Sequence, residues 1–461
     1  MNNIKELNIY GFKKFKQFHM EFNNNINILV GENEAGKSTI LEAINIVLNQ
    51  QYRNSDKSIL KDLINIDNIN TFKSSPCLSN LPQIKIELIL NLDEHSGNLP
   101  FFFGENNISK KEQYGILFTC QFMEEYFPNV EEEINGGKIP LEYYELKWEC
   151  FTGLSYSLLK KPFNFLYIDT SSTNGIDTFN YFNKTIFNSK YSQIEKMNAK
   201  NSFREELHNL FENLQLAEIN PNQKFNINDK KIILENILSI YENDISLENM
   251  GAGTECLIKT KIALDKSSTN IDVILLEEPE THLSHSSMLS MIAEINKRQN
   301  NSQLIITTHS DLIACSLKLK NIFWINNSKA VSLKDIDQDT SDFFLKSSNN
   351  NLLQFLLSEK VILVEGPTEY MFIPEIIKKD FSLTLESSKI SIISCNGISY
   401  KRLLNIAKQT NKKVAVITDN DGKDSNISYM NDWNSNNSEQ KIFMDPDVSN
   451  WTWEVCFVNL Q

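Results

Sequence analysis

Cysteine, proline and glycine are all scarce in this sequence, and long apolar runs are missing. The seven cysteines include no Cys-x-x-Cys pair, which argues against a disulfide framework and against a zinc ribbon. Scattered thiols are typical of a reducing cytoplasm. No stretch approaches about 18 uncharged apolar residues, so we expect no membrane span. The first residues also lack the continuous apolar segment of a signal peptide, and together these absences predict a cytoplasmic protein.

An excess of positive charge is missing as well. The 461 residues include 45 Lys and Arg against 59 Asp and Glu, a net charge of −14, whereas proteins that coat nucleic acid are usually basic. Hydrophobic residues make up 41% and charged residues 23%, which excludes a wholly disordered chain and fits a globular protein of about three domains. Any handling of DNA must therefore use local basic patches, or metal ions that offset clustered carboxylates.

Strand patterns and helical patterns alternate along much of the chain. Apolar strands at 273–276 and 304–307 are each followed by a helical pattern, and this alternation predicts a parallel sheet. Between about 181 and 248 the pattern becomes polar and helical, which indicates an insertion. The polar stretch from 335 to 351 is the expected linker, and a second α/β unit follows it.

A phosphate-binding loop is the strongest motif. Residues 31–38, GENEAGKS, fit G-x-x-x-x-G-K-[ST], with an apolar strand before them and a helical pattern after them. In such a loop the backbone N–H groups surround phosphate oxygens at the start of a helix. The lysine reaches the β- and γ-phosphates, and the serine hydroxyl can hold Mg²⁺. The candidate ATP-binding residues here are Gly31, Asn33, Gly36, Lys37, Ser38 and Thr39.

Two carboxylates end the apolar strand at 273–276, at the edge where α/β sheets bind ligands. We expect Glu277 to lie behind the Mg²⁺ ion, a position usually filled by aspartate, and Glu278 to polarise the attacking water. The next predicted strand ends in Thr-Thr-His-Ser, so His309 is a candidate for sensing the γ-phosphate. Taken alone, such residues also occur as solvated strand ends.

The phosphate loop, Glu-Glu-Pro-Glu and Thr-His-Ser, in this order, resemble the ABC-type ATPases of the structural-maintenance-of-chromosomes class. In that class a signature loop from a second subunit closes over the ATP. The matching segment here is 249–255, NMGAGTE, which contains Gly253 but lacks the usual leading serine. The resemblance implies that Gly253 contacts nucleotide across a dimer, whereas an ordinary glycine turn is the alternative interpretation.

A second set of carboxylates lies near the C-terminal end of the sequence. Glu365 ends an apolar strand and Glu369 follows four residues later, while a second apolar strand ends in Asp419-Asn420-Asp421. Alternate residues of an extended chain point the same way, so we expect Asp419 and Asp421 to converge. Clustered carboxylates repel one another without a cation. Mg²⁺ or Mn²⁺ is the natural partner, and two such ions can clamp a phosphodiester.

Glu-Gly-Pro-Thr-Glu followed by Asp-Asn-Asp resembles the Toprim domain of topoisomerases, primases and related nucleases. An ABC-type ATPase head followed by a Toprim domain is the architecture of the OLD (overcoming lysogenization defect) family, including effectors of Gabija and retron systems. The resemblance implies an α/β fold with a parallel, Rossmann-like Toprim sheet. The expected parts are the ATPase N-terminal part at 1–180, a helical dimerisation insertion at 181–248, the ATPase C-terminal part at 249–340 and the Toprim nuclease domain at 341–461.

The family resemblance implies a nucleotide-regulated, metal-dependent endonuclease that nicks or cuts DNA in bacterial defence against phage. The expected catalytic residues are Glu278, Glu365 and Asp419. The expected partners are a DNA substrate, a homodimer or higher homo-oligomer, and a defence-system partner, either a helicase-like subunit or a reverse transcriptase with its noncoding RNA and DNA. The expected metal ligands are Ser38, Glu277, Glu365, Glu369, Asp419, Asp421 and Glu454.

Some residues depart from the family pattern and keep other functions open. Family nucleases tend to use a lysine further on, and only Lys423 or Lys441 could substitute for it here. One alternative is an ATP-operated switch that holds a partner, with a weak or silent Toprim site. Another is an ATPase that moves or repairs DNA ends, which would predict a long coiled coil, but no sustained heptad run is present.

Overall fold

The computed structural model describes residues 2–93, 99–169, 176–214, 219–220, 223, 225–228, 232–265, 270–298, 302–326, 328–346, 351–381, 385–395 and 400–459. Within these ranges no helix has both the length and the apolar character that crossing a bilayer requires. Backbone contacts divide the chain into two units. The first comprises Met1–Asn27 and Gly36–Thr308, and the second comprises Ile28–Ala35 and His309–Gln461.

Strands and helices alternate as the sequence predicts, and the strands at 273–276 and 304–307 are confirmed to within one residue. The strands are β1 (Asn3–Phe12), β2 (Phe15–Glu21), β3 (Ile26–Val30), β4 (Ile84–Asn91), β5 (Phe103–Gly104), β6 (Gln113–Phe122), β7 (Tyr144–Cys150), β8 (Phe165–Asp169), β9 (Tyr241–Glu242), β10 (Ile245–Ser246), β11 (Val273–Glu277), β12 (Gln303–Thr307), β13 (Ile322–Asn326), β14 (Lys329–Ser332), β15 (Lys360–Val364), β16 (Ile390–Ser394), β17 (Lys413–Ile417) and β18 (Gln440–Phe443).

Helices fill most of the intervals between these strands. They are α1 (Lys37–Asn49), α2 (Leu60–Leu63), α3 (Ile66–Ser74), α4 (Phe127–Asn135), α5 (Ile176–Lys190), α6 (Gln193–Asn213), α7 (Ala252–Leu264), α8 (His285–Arg298), α9 (Asp311–Ser316), α10 (Gln338–Lys346), α11 (Leu352–Leu357), α12 (Pro367–Phe381), α13 (Leu385–Ser388), α14 (Tyr400–Thr410), α15 (Asp424–Asn436) and α16 (Trp453–Asn459).

The first unit contains an antiparallel sheet that fixes the helix after the phosphate loop. Strand β4 lies between β1 and β6, and β2, β5 and β7 pair outward from them, all antiparallel. The Trp148 indole donates to the Ile46 carbonyl at 2.9 Å and the Tyr156 hydroxyl donates to the Leu48 carbonyl at 3.2 Å. These bonds fall on the last turn of α1, whose carbonyls have no partner within the helix, so β7 and the short turn that follows it hold α1 in place.

Three parallel strands of the same unit carry the second ATPase motif. Strand β11 lies between β8 and β12, and all five residues of both β11 and β12 are buried. The fully buried Gln303 side chain exchanges two 2.8 Å hydrogen bonds with the backbone of Ile4. One amide side chain therefore ties the parallel strands to the antiparallel sheet, and the carboxyl ends of β8, β11 and β12 share one edge.

The second unit contains a four-stranded parallel sheet in the order β16-β15-β17-β18. Val364 of β15 is in register with Ile417 of β17, so the residues after both strands emerge at the same edge. Helix α14 covers the sheet with a buried apolar face that includes Leu403 and Leu404. In the same unit, residues 28–30 of β3 pair in parallel with 322–324 of β13.

Two expectations about the connecting segments are wrong. The helical pattern around 232–240 forms only a short turn at Leu234–Asn236, followed by the small β9–β10 hairpin, whereas the helices of the insertion are α5 and α6. The polar stretch 335–351 is not a plain linker, because it contains α10. The Asp337 carboxylate accepts the Thr340 N–H at 2.8 Å and the Phe344 side chain is buried, so a cap and one apolar anchor suffice to form the helix.

Candidate functional site

The turn into α1 can be formed only by glycine. Gly36 precedes the helix with φ of 103°, a backbone conformation that side chains with a Cβ disfavour. A Cβ at this position would lie 2.4 Å from the Phe15 ring. Lys37 and Ser38 therefore begin the helix as the motif predicts, with Thr39 behind them, at a helix N-terminus whose positive partial charge favours an anion.

Lys37 lies among carboxylates of the predicted partner motif. Its side chain is buried, and burial lowers the pKa of Lys37 while the negative charges of Glu278, Glu280 and Glu277 oppose that shift. The Ser38 hydroxyl is hydrogen bonded to Glu277. Burial raises the pKa of Glu277, and the hydrogen bond with Ser38 opposes that shift. The structure therefore brings Lys37, Ser38, Glu277 and Glu278 together, as the two motifs indicate.

Tyr167 is a member of this cluster that the sequence motifs do not reveal. It lies on β8, and its hydroxyl donates to a carboxylate oxygen of Glu277. Burial, followed by the charge of Glu277, raises the pKa of Tyr167 well above its usual range, so the phenol remains a donor. The sequence feature that could have indicated this residue is the apolar segment at 165–169, which ends in an acidic residue. In the structure this segment is β8, in register with β11.

Glu278 occupies a left-handed turn directly after β11. Its φ is 38°, and its N–H donates to both the carbonyl and the hydroxyl of Thr307, each at 3.1 Å. The neighbouring Thr308 hydroxyl donates to Glu280 at 2.9 Å. The end of β12 therefore holds the acidic turn in a conformation that most side chains avoid.

The remaining nucleotide-site candidates are placed separately. In the second unit, Asn33 and His309 line one cavity of about 930 Å³, and a Cβ on Gly31 would lie 2.7 Å from the Ile325 carbonyl. In the first unit, Gly253 is the second residue of α7, and its Cβ would lie 2.2 Å from the His282 carbonyl. Close packing within its own chain therefore explains this glycine, and its contact with nucleotide across a dimer stays a prediction.

Three of the predicted carboxylates line one cavity at the carboxyl edge of the parallel sheet in the second unit. Glu365, Asp419 and Asp421 border a space of about 310 Å³, which we call the carboxylate cavity. One oxygen of Glu365 accepts the Thr418 hydroxyl at 2.8 Å and the Asp419 N–H at 3.2 Å. The end of β17 thereby fixes the carboxylate that follows β15.

The convergence of Asp419 and Asp421 has a different cause from the one expected. Strand β17 ends at Ile417, so the two aspartates do not alternate along an extended chain. Asp421 adopts a left-handed φ of 53°, and its N–H donates to the Trp451 carbonyl at 3.2 Å. A tight turn, and not the pleat of a strand, therefore brings both side chains to the carboxylate cavity.

Asn420, between these aspartates, anchors the segment that follows β18. Its side chain is only 1% exposed. The side-chain amide donates to the carbonyls of Asp445, Asp447 and Asn450 at 3.0, 2.9 and 3.2 Å, and its oxygen accepts the Gly422 N–H at 2.8 Å. Because the two N–H groups of one side chain are shared among three carbonyls of the loop at 445–450, they fix that loop against the acidic turn.

Glu369 and Glu454 lie near the carboxylate cavity but do not line it. The buried Glu369 accepts the Gly366 N–H at 3.1 Å, at the start of α12. The exposed Glu454 accepts the Thr368 hydroxyl at 3.3 Å. Both carboxylates contribute to raising the pKa of Asp419, so they surround the three lining residues as neighbouring negative charges.

The structure also distinguishes between the lysines near this site. Lys441 donates to the Asn434 carbonyl at 2.7 Å, and the Lys423 ammonium lies 3.9 Å from Asp421 at the surface. Lys401, which the motifs do not reveal, lines the carboxylate cavity beside Tyr400, with its ammonium 4.1 Å from the centre of the Tyr429 ring. It is the second residue of α14, a place that sequence spacing alone does not mark.

The carboxylates of Glu365, Asp419 and Asp421 are suitable ligands for a hard divalent cation, although they are spaced more widely than the ligands of a bound ion. Among the residues that the structure describes, no three His, Cys, Asp or Glu side chains approach closely enough to hold a metal ion. Burial, and then the charge of Glu365, raises the pKa of Asp419 to about 6. A cation would relieve this repulsion, and carboxylate oxygens are the ligands that Mg²⁺ and Mn²⁺ prefer.

Comparison with known families agrees with both halves of this description. Residues 3–213 match a model described as an AAA ATPase domain. Residues 356–421, which include Glu365, Asp419 and Asp421, match the TOPRIM domain of proteins similar to the overcoming lysogenization defect protein. The chain therefore joins an AAA ATPase domain to an OLD-like Toprim domain, and the predicted architecture is confirmed.

Several curated proteins resemble this chain at low identity. The chain is 23% identical to the Retron Vc95 probable ATPase of Vibrio cholerae, over 70% of this chain and 73% of that protein. It is 22% identical to Endonuclease GajA of Bacillus cereus, over 81% and 67%. The Old nuclease of Escherichia phage P2 is matched at 27% identity over 31% of this chain and 26% of its own length.

A solved Smc head bound to the C-winged helix domain of ScpA also aligns with this chain. The TM-score is 0.38 at 16% identity, over 72% of this chain and 98% of that one. So low a score adds nothing to the description of either unit.

Replacing Asp419 by asparagine should stabilise the metal-free protein at neutral pH. The pKa of Asp419 is about 6 in the folded chain against an ordinary 3.8, so ionisation opposes folding above pH 6. That penalty fades as the pH falls from 6 to 3.8 and is absent below. In buffer with EDTA we expect the melting temperature to rise by about 1–2 °C at pH 7.5, with the difference shrinking toward pH 4.

The exposed Asp432, which lies on α15 outside the carboxylate cavity, supplies the control. Asp432→Asn should leave the melting temperature nearly unchanged at both pH values. An Asp419→Asn protein that melts no higher than this control at pH 7.5 would show that ionisation of Asp419 does not oppose folding.

Proposed function

We propose that this protein is a nucleotide-regulated, divalent-metal-dependent DNA endonuclease of anti-phage defence. The observation that carries the proposal is the carboxylate cavity, in which Glu365, Asp419 and Asp421 meet at the carboxyl edge of a parallel sheet. The names of the relatives, an endonuclease, a nuclease and a retron ATPase, support the same reaction and the same biological setting.

In this proposal Glu365, Asp419 and Asp421 hold Mg²⁺ or Mn²⁺, with Glu369 and Glu454 as supporting carboxylates. The bound ion supplies Lewis acidity toward a phosphodiester and lowers the pKa of a water molecule. The chain itself orients the ligands, because Thr418 and the Asp419 N–H fix one oxygen of Glu365. Lys401 brings a positive charge to the cavity where the negatively charged DNA strand would lie.

ATP with Mg²⁺ is the proposed ligand of the first unit. Lys37 would neutralise the phosphates, and Ser38 with Glu277 would hold the ion. The Tyr167 hydroxyl restrains Glu277, whose side chain is one methylene longer than the usual aspartate. Glu278 would accept a proton from the attacking water, since its backbone is held by Thr307. Asn33 and His309, which belong to the second unit, stay predicted nucleotide-binding residues, and Gly253 is the proposed contact across a dimer.

We also propose a homodimer or higher homo-oligomer that uses α6. This helix of 21 residues begins with a capping box at Ser192 and Glu195. Phe203, Leu207, Leu210 and Leu214 recur at three- and four-residue spacing, which places them on one face of a helix, and Leu210 and Leu214 are 61% and 51% exposed. A second copy would cover this apolar face. A defence-system partner, helicase-like or reverse transcriptase, belongs to the same proposal.

Lys37→Ala should weaken ATP binding about 10- to 100-fold, because the phosphates lose their charge-assisted donor. Glu278→Gln should instead bind ATP with nearly normal affinity and hydrolyse it slowly, since only proton acceptance is lost. Calorimetry and phosphate release measure the two effects. Unchanged affinity in the Lys37 variant, or wild-type turnover in the Glu278 variant, would refute the corresponding role.

Asp419→Ala should reduce nicking of plasmid DNA about 100-fold or more while ATP binding stays intact. The assay uses full-length protein with Mg²⁺ or Mn²⁺, with and without ATP, and Asp432→Asn is the matched control. Nicking at the wild-type rate by Asp419→Ala would assign the activity to another site or to a contaminant. A wild-type protein that never nicks, but whose affinity for a partner depends on ATP, would favour the switch function.

Leu210→Glu should weaken self-association about 30-fold, because it places a charge on the apolar face of α6. Asn209→Glu adds the same charge one residue away, where the turn of the helix takes it off the apolar face, and should leave the mass unchanged. Light scattering across a dilution series measures both. A strictly monomeric wild type, with and without ATP, would contradict the proposed oligomer.

A further inference from the structure

A second cavity adjoins the carboxylate cavity and has a different character. It measures about 360 Å³ and shares Ile417, Thr418 and Asp419 with the carboxylate cavity. Its other walls include the aromatic rings of Phe443 and Trp453, with Met444 and Asn450 beside them. Asp419 therefore borders both a charged space and a largely apolar one that contains two aromatic side chains.

The chemistry of this second cavity excludes a phosphate and favours a neutral planar ligand. None of the described residues that line it is a lysine, an arginine or a histidine, and two of them, Asp419 and Asp445, are acidic. An anion would be repelled. Aromatic rings stack on flat aromatic ligands, and a nucleobase is such a ligand in any nucleic acid strand.

The cavity is built before any ligand arrives, because hydrogen bonds fix its walls. The Phe443 carbonyl accepts the Thr418 N–H at 3.1 Å, which ties the end of β18 to the end of β17. The Asn450 amide donates to the Asp445 carboxylate at 3.1 Å, and the Asn420 amide holds the backbone of the same loop. Phe443 is nevertheless 53% exposed, so its ring offers a face at the rim.

We propose that this second cavity, the base pocket, binds the nucleobase next to the phosphodiester that occupies the carboxylate cavity. The inference rests on the proposed endonuclease function and deepens it, since it specifies how the substrate strand lies across Asp419. A base can enter such a pocket only when it is unstacked from its neighbours. The substrate is therefore a strand that is single-stranded or locally unpaired at the cut.

Binding of labelled oligonucleotides to the full-length protein tests the base pocket. The probe is a fluorescein-labelled oligothymidine of about 15 nucleotides, measured by anisotropy with Ca²⁺ as the cation, and a gel confirms that it remains uncut. Phe443→Ala should weaken binding about tenfold because one stacking contact is lost. Phe443→Trp should restore it. A strand of the same length made of abasic sites should bind the wild type and Phe443→Ala equally.

Phe372→Ala is the matched control, because Phe372 is also 53% exposed and lines neither cavity. It should bind oligothymidine like the wild type. If Phe443→Ala binds oligothymidine as tightly as the wild type, or loses affinity equally for the abasic strand, the base pocket is refuted.

Nicking assays on the same proteins separate this inference from the proposed function. A wild type that nicks DNA, with an unchanged KM in Phe443→Ala, would refute the base pocket and leave the endonuclease intact. A wild type that never nicks, but binds oligothymidine through Phe443, would refute the endonuclease and leave the base pocket standing.

Discussion

Repulsion among carboxylates at the carboxyl ends of parallel strands is the constraint on which both sites depend. In the first unit, buried Lys37 lies among Glu277, Glu278 and Glu280, so the chain supplies its own cation. In the second unit, burial and then the charges of neighbouring carboxylates raise the pKa of Asp419 to about 6. The two sites therefore differ in how their negative charges are offset. The first has the positive charge of Lys37, whereas the second requires a bound cation.

Strained turns place the decisive groups in both units. Gly36, Glu278 and Asp421 all have positive φ, and each lies next to a strand end or a helix start. Such conformations persist only when their surroundings hold them. Here the carbonyl and the hydroxyl of Thr307 accept the Glu278 N–H, and the Trp451 carbonyl accepts the Asp421 N–H. The backbone conformation of Glu278 and Asp421, and not the choice of side-chain rotamer alone, therefore places their carboxylates at the strand ends.

Local motifs made much of this arrangement predictable, because each pairs a strand end with a chemical group a few residues away. Lys37, Ser38, Glu277 and Glu278 come together as the motifs indicate, and so do Glu365, Asp419 and Asp421. The motifs miss Tyr167, since it lies 110 residues from Glu277 in the chain. The turn at Asp421 was also hidden, because a contact 30 residues away, to the Trp451 carbonyl, determines its conformation.

Asn420 shows why the residue between the two aspartates is an amide and not a third acid. Its nitrogen faces three carbonyl oxygens within 3.2 Å while its oxygen accepts an N–H group. A carboxylate of the same shape would place a negative charge against those three oxygens and leave them unsatisfied, which is costly in a buried site. The loop at 445–450 would then lose its attachment to the acidic turn. One neutral donor thus allows two charged neighbours to line the carboxylate cavity while the same loop forms the wall of the base pocket behind them.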